Sequence, residues 1–379
     1  MRRHPLLLVL FALVVGLGLG GSAAGAATPN DTSCRKLVSG SVSHAELLKY
    51  DACRFDRIDS QLAAMRTAAA ATSPTTPVST TQPAPAPPTQ PSTTTSPTPP
   101  TPTSTSTGYP DAGTTGVPSA TSLQRVPEDV SSGAGWSWKG GADQCIHVET
   151  DGAVLSGLNI TGCIEVYANN VTIQNTRVTA AGDGWAVGAR GVSGLTVKDS
   201  TLSGGGKRMA VGVKDVTGSS SVTVLRVDVS GYSSGLQLSR GLVQDSYIHD
   251  PILQPGDHTN GFTHNGGRSD GSLTLRHNTI LNKFDQADAI SFFQDFGTIK
   301  NVTADNNLVA GGSYALYGGA GGRGTSSNVT ITNNRFSTRY FPNGGTFGPA
   351  CCYDKVAGNT WSGNVWADGA KAGQTIPAP

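Results

Sequence analysis

The sequence predicts an all-β fold, a single-stranded parallel β-helix of about nine rungs, and two features of the chain lead to that prediction. The first is an octet that starts with an aliphatic residue and carries a polar pair at positions five and six, as in Leu273–Ile280 and Val302–Val309. It recurs at irregular spacings of roughly 18 to 32 residues, which is typical of a solenoid. The second is a composition of 49 glycines with only 14% charged residues, which suits many tight turns.

Nine copies of the octet follow one another, and they start at Ala153, Val171, Leu195, Val222, Gly241, Leu273, Val302, Val329 and Thr360. Each rung should add a second short strand, at Trp185–Val187, Ala210–Val213, Gly235–Leu238, Gly261–Thr263, Ala289–Phe292 and Tyr314–Tyr317. Residues at octet position five should line up along one edge of the coil. Asn and Asp side chains there would bond the next rung, in a column formed by Gly157, Asn175, Asp199, Arg226, Asp245, His277, Asn306, Asn333 and Asn364.

The segments ahead of the octets differ in composition and predict a modular chain. Residues 1–27 combine an arginine pair, an apolar run and small residues, which indicate a signal peptide, with an uncleaved anchor as the alternative. Residues 28–71 hold a candidate capping box and apolar residues at helical spacing, so we expect a short helical segment. Residues 72–108 are almost wholly Pro, Thr and Ser and predict a disordered linker before the β-helix domain, 109–379. The region from Tyr109 onward should cap the first rung.

Charge and targeting limit the partners that the chain can have. The formal net charge of +1 and the lack of a basic stripe argue against nucleic acid as a partner. No second apolar span follows the signal, so we expect no stable membrane span after cleavage. We therefore expect a secreted or cell-wall-associated monomer.

Six cysteines in an exported chain favour disulfides over metal ligands. Two pairs are expected to bond, Cys34 with Cys53 and Cys145 with Cys163. The second pair is separated by one repeat spacing, which would place both residues in adjacent rungs. For the neighbours Cys351 and Cys352, a vicinal disulfide, two free thiols and a bond to another chain all remain open.

Chemistry is expected where two long spacings flank Leu273, because extra residues in a solenoid become loops on one face. If Gly261 lies beside Ala289, then Asp257 stacks on Asp285, His258 on Gln286, and Asn260 on Asp288. This predicts a cluster of carboxylates that either raise one another's pKa or bind a cation such as Ca²⁺. The candidate catalytic residues are Asp257, His258, Asp285 and Asp288, and the candidate Ca²⁺ ligands are Asp257, Asp285 and Asp288. The candidate substrate-binding residues are Asn260, His249, His264, Lys283 and Arg268. For each residue, a purely structural role in a turn, ladder or loop is the alternative.

Three stretches carry a resemblance to a known superfamily: Tyr109-Pro110-Asp111-Ala112 with Gly116-Val117-Pro118, the octets, and Gly363-Asn364-Val365-Trp366. From Tyr109 to about Gly369 the chain resembles secreted bacterial right-handed parallel β-helix proteins of the pectate-lyase-like superfamily. The resemblance implies a right-handed coil. It does not specify a reaction, because the superfamily includes lyases, hydrolases, epimerases, phage tailspikes and non-catalytic members.

One motif of such relatives is altered here. Where they carry His-x-Asp-Gly/Ala-aliphatic-Gln, this chain has His258-Thr259-Asn260-Gly261-Phe262-Thr263, with an amide where the acid is expected. The leading hypothesis is a protein that acts on or binds extracellular polysaccharide, as a lyase or hydrolase of acidic glycans. A non-catalytic surface or glycan-binding rod is the alternative, and Asn260 favours it. A structural or adhesive module working through the N-terminal helix is the third hypothesis.

Overall fold

A computed structural model describes residues 108–141, 144–267 and 271–379. These residues form thirty short strands and one 3₁₀ helix, Gly369–Lys371. The strands make three sheets in which nearly all neighbours run parallel, and this confirms the predicted all-β parallel β-helix. The predicted signal peptide, helical segment and linker, apart from Gly108, lie outside the described residues, as does the expected bond between Cys34 and Cys53.

The first four positions of each octet form the first sheet, which has nine strands and so confirms the predicted number of rungs. These strands are Val154–Ser156, Thr172–Gln174, Leu195–Lys198, Val222–Leu225, Gly241–Gln244, Leu273–Arg276, Lys300–Asp305, Ser327–Thr332 and Thr360–Ser362.

The closing residues of the octets lie in the second sheet, which has ten strands. They are Gln124–Val126, Leu158–Thr161, Arg177–Thr179, Thr201–Ser203, Asp228–Ser230, Tyr247–His249, Thr279–Asn282, Leu308–Gly311, Arg335–Phe336 and Val365–Trp366. The predicted second strands lie in the third sheet, which has eleven. They are Ser132–Gly133, Trp136–Lys139, Cys145–Val148, Cys163–Val166, Gly182–Ala189, Met209–Asp215, Tyr232–Gln237, Asn260–His264, Asp288–Phe292, Tyr314–Tyr317 and Gly348–Cys351.

Aliphatic side chains stack from rung to rung inside the coil, because octet position three points inward in every rung. One such column is fully buried and follows the register of the first sheet: Ile173, Val197, Val224, Val243, Leu275, Ala304 and Ile331. Burial of a Val, Leu or Ile side chain contributes roughly 1.5 to 3 kcal/mol. The repeated columns therefore supply the main stabilisation that an elongated coil needs.

Octet position five makes the turn between the first and second sheets. Asn175, Asn306 and Asn333 all have left-handed backbone there, with φ of 47°, 53° and 57°. Asn tolerates this region better than most residues because its short side chain can hydrogen-bond locally. The expected alignment of position five along one edge is thus confirmed, although the last copy was placed one residue too late. Thr360 pairs with Thr330, so position five of that rung is Gly363 and not Asn364.

The amide ladder lies at octet position six, not at position five as the sequence suggested. Asn278, Asn307, Asn334 and Asn364 are fully buried in consecutive rungs. Each of the first three donates from its backbone N–H and from Nδ2 to Oδ1 of the next, over distances of 2.9 to 3.0 Å. The left-handed turn at position five points that side chain outward and the following one inward. The ladder therefore satisfies polar backbone groups that the turn would otherwise leave buried and unpaired.

Substituting Asn175, at φ of 47°, tests the need for left-handed backbone at this turn. The Asn175→Val variant should lower the free energy of unfolding by about 1 to 2 kcal/mol, because a β-branched side chain clashes with the following carbonyl there. Asn175→Gly is the matched control and should stay close to the original chain. Urea unfolding measures both, and equal stability of the two variants would contradict the assigned role of the turn.

The prediction that the region from Tyr109 onward caps the first rung is confirmed for its tryptophan hairpin, whereas Tyr109–Pro118 runs along the side of the coil. The Tyr109 hydroxyl donates to Asn306 Oδ1 at 2.9 Å, and the Gly116 backbone N–H donates to the Arg226 carbonyl at 3.0 Å. These partners belong to turns at octet position five of separate rungs. We call Tyr109–Pro118 the strap, since it joins the turns of several rungs.

The first rung is covered instead by an antiparallel hairpin. Ser132–Gly133 pairs with Trp136–Lys139, which in turn pairs antiparallel with Cys145–Val148. Trp136 is 8% exposed and belongs to the core. The aromatic hairpin thus shields both the apolar end of the coil and the edge of its first strand.

Cys145 and Cys163 are register partners in the third sheet and form the predicted disulfide, with their Cα atoms 4.4 Å apart. Cys351 and Cys352 are both free thiols. Among the described residues, none belongs to a helix with the length and hydropathy needed to cross a membrane.

Candidate functional site

The outer face of the third sheet carries two polar columns at the two insertions. Phe262 pairs with Ile290, so Gly261 lies beside Ala289 and Asn260 beside Asp288, as predicted. A Cβ on Gly261 would point at Ile280 inside the coil, and the next residue, Phe262, is also fully buried. On either side of this inward pair lie two further columns, in which Asn260, Thr263, Asp288 and Ser291 are themselves at most 4% exposed. We call Lys214, Gln237, Thr263, Ser291 and Tyr317 the floor column, and Trp185, Val211, Ser234, Asn260, Asp288 and Tyr314 the edge column.

Asp288 has the most strongly shifted pKa of the carboxyl groups at this face. It is 2% exposed, and its pKa is raised to about 7 because burial disfavours the charged form. The Tyr314 backbone N–H opposes that shift by donating to Oδ1 at 3.2 Å. Ser291 Oγ lies 3.1 Å from Oδ2 and opposes the shift only when its hydroxyl donates to Asp288. Asp288 can therefore exchange a proton near neutral pH.

The hydrogen bonds among Asp288, Ser291 and Asn260 indicate where the protons of this cluster lie. Asn260 Nδ2 donates to the His258 carbonyl at 3.0 Å, so Asn260 Oδ1 is the acceptor that faces Ser291 Oγ at 2.5 Å. Ser291 has one hydroxyl proton and cannot donate to both Asn260 and Asp288. When Ser291 donates to Asn260, its oxygen is free to accept a proton from a neutral Asp288 carboxyl. Asp288, Ser291 and Asn260 then form one directed hydrogen-bond chain.

The predicted cluster of three carboxylates does not form. Asp257 is bound by Arg208 at 2.6 Å and accepts from the Gln254 backbone N–H. Arg208 lies in an earlier rung, so the insertion folds back toward it and does not stack on the next insertion. Asp285 is exposed, and its backbone carbonyl accepts from the Ser313 hydroxyl at 3.1 Å.

The predicted Ca²⁺ ligand set of Asp257, Asp285 and Asp288 is likewise not assembled. Among the described residues, one group of His, Cys, Asp and Glu side chains has ligand atoms within 4.8 Å of one another, namely Cys145, Cys163 and Glu165. Its two cysteines are joined in the disulfide. The carboxylates proposed to hold calcium therefore lack the shared geometry that the ion needs.

The other predicted site residues are spread over several environments. His258 is exposed at the rim and contributes its carbonyl to Asn260. His264 is 1% exposed, accepts from the Gly266 backbone N–H at Nδ1, and has a pKa lowered to about 4 by burial. Lys283 is exposed, with its ammonium 5.5 Å from the Phe284 ring centre. Arg268 lies outside the described residues.

His249 lies in the second sheet, away from the two columns. Its Nε2 is 3.1 Å from Asp228, its Nδ1 is 2.8 Å from Asp250, and its ring stacks on Tyr247 at 3.8 Å. Burial opposes the charged ring, but hydrogen bonds and charges of both carboxylates outweigh it, so the pKa of His249 is raised. Since both ring nitrogens face acceptors, the site favours an imidazolium that joins two carboxylates.

The raised pKa of His249 makes its contribution to stability depend on pH. The contribution is fully present below the unfolded value of about 6.5 and is lost as pH rises through the folded pKa. The free energy of unfolding should thus fall more steeply with rising pH in the original chain than in His249→Gln. Urea titrations between about pH 6 and 9 measure this. An unchanged slope in His249→Gln would contradict the bridge.

Aromatic rings flank the columns near Asp288, and the sequence did not single out which of them reach the surface. Tyr314 and Phe347 have ring centres 5.9 Å apart, and Phe347 is 59% exposed. On the other side, Tyr317 meets Phe293 edge to face at 5.0 Å. Such surfaces suit the apolar faces of sugar rings. The role of Ser291 was also missed, although its place three residues after Asp288 was visible.

The free thiols extend the floor column past Tyr317, because Cys351 pairs with Tyr317 in register. A hydrogen bond from Cys351 lowers the pKa of Cys352 to about 7, and the pKa of Cys351 is raised correspondingly. Burial raises the pKa of Tyr317. The end of the site nearest the C terminus is thus lined by thiols and a neutral phenol.

Comparison with known proteins leaves the parallel β-helix as the level at which this chain can be classified. No family model, no curated protein and no solved structure matches it.

Proposed function

We propose that this chain is a secreted protein that acts on extracellular polysaccharide along the outer face of the third sheet, with Asp288 as the acid–base residue. The observation that carries the proposal is the Asp288 carboxyl, with its pKa of about 7, joined to Ser291 and Asn260 between aromatic side chains. A linear polymer fits a face that extends over successive rungs. Membership of the pectate-lyase-like superfamily is part of the same proposal.

The arrangement favours elimination over hydrolysis. Glycoside hydrolases generally need two carboxyl groups on either side of the bond that breaks. Here Asn260 takes the neighbouring place, Asp257 is held by Arg208, and no second carboxylate contacts Asp288 among residues 108–141, 144–267 and 271–379. A single base is sufficient for β-elimination from a uronate. Asp288 takes the C5 proton, the C4–O glycosidic bond breaks, and a C4–C5 double bond forms while the leaving oxygen takes a proton from solvent water.

A non-catalytic glycan-binding rod is the second candidate, and Asn260 is the observation that favours it. An amide cannot replace the acid that the altered motif lacks. In this reading, the hydrogen-bond chain from Asp288 to Asn260 only orders the binding face.

The test is to incubate the full chain with polygalacturonate, alginate and glycosaminoglycans. Elimination predicts the absorbance of unsaturated uronate together with new reducing ends. Reducing ends without that absorbance would indicate hydrolysis and overturn the proposed reaction. Binding without either product would support the rod.

A further inference from the structure

Lys214 brings a positive charge to the floor column, at a place that the proposed reaction does not use. Its side chain is half-buried, and its ammonium lies 5.4 Å from the Trp185 ring centre. Burial lowers the pKa of Lys214. In the part of the chain that the structure describes, no carboxylate forms an ion pair with this ammonium. A half-buried cation without an acidic partner is costly unless a ligand supplies the charge.

The acid on the same register line two rungs earlier, Glu165, is already engaged. Glu165 is 5% exposed and accepts from Arg190 Nε at 2.7 Å, from Arg190 Nη2 at 3.1 Å and from Trp185 Nε1 at 2.9 Å. These bonds neutralise Arg190 and fix the indole ring in place. Glu165 thus holds Trp185 under Lys214 while its own charge is balanced by Arg190.

Polar groups with unused bonding capacity connect Lys214 to the acid–base residue. Gln237 and Thr263 occupy the next two positions of the floor column, before Ser291. Gln237 Oε1 and Thr263 Oγ1 are buried and have no hydrogen-bond partner among the described residues. Such groups are rare in folded proteins. Lys214 and Ser291 are three rungs apart, which is about 14 Å at the usual strand spacing.

We infer that Lys214 and Trp185 form an anionic-sugar subsite, in which the ammonium binds the carboxylate of one uronate unit while another unit of the same polymer lies at Asp288. This inference rests on the proposed function and adds to it a requirement for charge at a remote sugar. Trp185, whose ring centre lies 5.4 Å from the Lys214 ammonium and 5.6 Å from the Arg190 guanidinium, positions the ammonium, and Gln237 and Thr263 bond the hydroxyl groups between. A polymer with the same backbone but no charge would lose the contact with Lys214.

Calorimetric binding to two matched polymers tests the subsite. Polygalacturonate and its fully methyl-esterified form share a backbone, and the Asp288→Asn variant of the full chain prevents turnover during the measurement. Adding Lys214→Met should weaken binding of polygalacturonate about tenfold and leave the esterified form unaffected. Lys207→Met, at an exposed lysine, removes the same charge and should change neither affinity. Added salt should reduce the difference between the two polymers.

Three outcomes would overturn the subsite: full affinity in Lys214→Met, equal weakening for both polymers, or no binding of polygalacturonate at all. The last would remove the proposed function as well. If Lys214→Met weakens binding as expected but Asp288→Asn still turns over substrate, the catalytic proposal fails and the subsite stands. If Asp288→Asn is inactive and Lys214→Met binds normally, the reverse holds.

Discussion

Replacing Asp288 with asparagine should lower the turnover of an acidic polysaccharide by about 100-fold or more, the range typical for loss of a general base. Asparagine keeps the local hydrogen bonds: its Oδ1 can still accept from the Tyr314 backbone N–H, and its Nδ2 can donate to Ser291 Oγ. It therefore mimics the neutral carboxyl but cannot accept a proton. Initial rates followed by unsaturated-uronate absorbance measure the loss.

Asp285→Asn is the matched control, because Asp285 is an exposed carboxylate three residues before Asp288 in the same insertion. It should retain the original rate. Loss of activity in Asp285→Asn with none in Asp288→Asn would transfer the acid–base role and remove the present assignment.

The same substitution should change the pH dependence of both activity and stability. Because burial raises the pKa of Asp288 to about 7, the base form accumulates as pH rises through that value, and the rate should rise with it. The free energy of unfolding changes in the opposite direction. It falls as pH rises from the unfolded pKa of about 3.9 to the folded pKa, because burial disfavours the ionised carboxyl of Asp288. Above neutral pH, Asp288→Asn should be more stable than the original chain by an amount on the order of a few kcal/mol. Thermal unfolding at several pH values measures this.

Removing one rung of the asparagine ladder should produce the largest loss of stability. Asn307 is fully buried, accepts from the backbone and side chain of Asn278, and donates to the carbonyls of Leu275 and Asp305. Leucine has a similar volume but leaves these groups buried and unpaired. Asn307→Leu should lower the free energy of unfolding by about 3 to 5 kcal/mol.

The control is Asn175→Gly, which changes an asparagine at position five and keeps the left-handed turn. Urea unfolding of both variants separates the two positions. A loss below about 1 kcal/mol for Asn307→Leu would show that the ladder is dispensable.

The sequence correctly predicted the features that follow from strand register alone. The alternation of aliphatic residues identified the rungs, and the pairing of second strands placed Asn260 beside Asp288 correctly. It could not separate octet positions five and six, because both are polar and only the left-handed turn decides that Asn306 faces outward and Asn307 inward. The sequence also could not predict the path that the insertions follow. Asp257 bonds Arg208 across 49 positions of sequence, and nothing in the repeat specifies that contact.

The burial of individual side chains was the second feature that the repeat period could not predict. Asp288 was predicted to share a pKa shift with other carboxylates, whereas burial is the main cause of the shift. Lys214 follows a short apolar run, and its register partner in the preceding rung is Gly188. Its significance emerges only from the structure, which places its ammonium 5.4 Å from the Trp185 ring centre.

The strap has a mechanical consequence. The strap begins at the flank of the coil, beside Asn306, and not at its first rung. Force applied to the start of the strap would load its contacts one after another before any sheet bears shear. Stretching of single molecules from the N terminus should accordingly show a weak early rupture, and shortening the strap should remove that event while the later, stronger resistance persists.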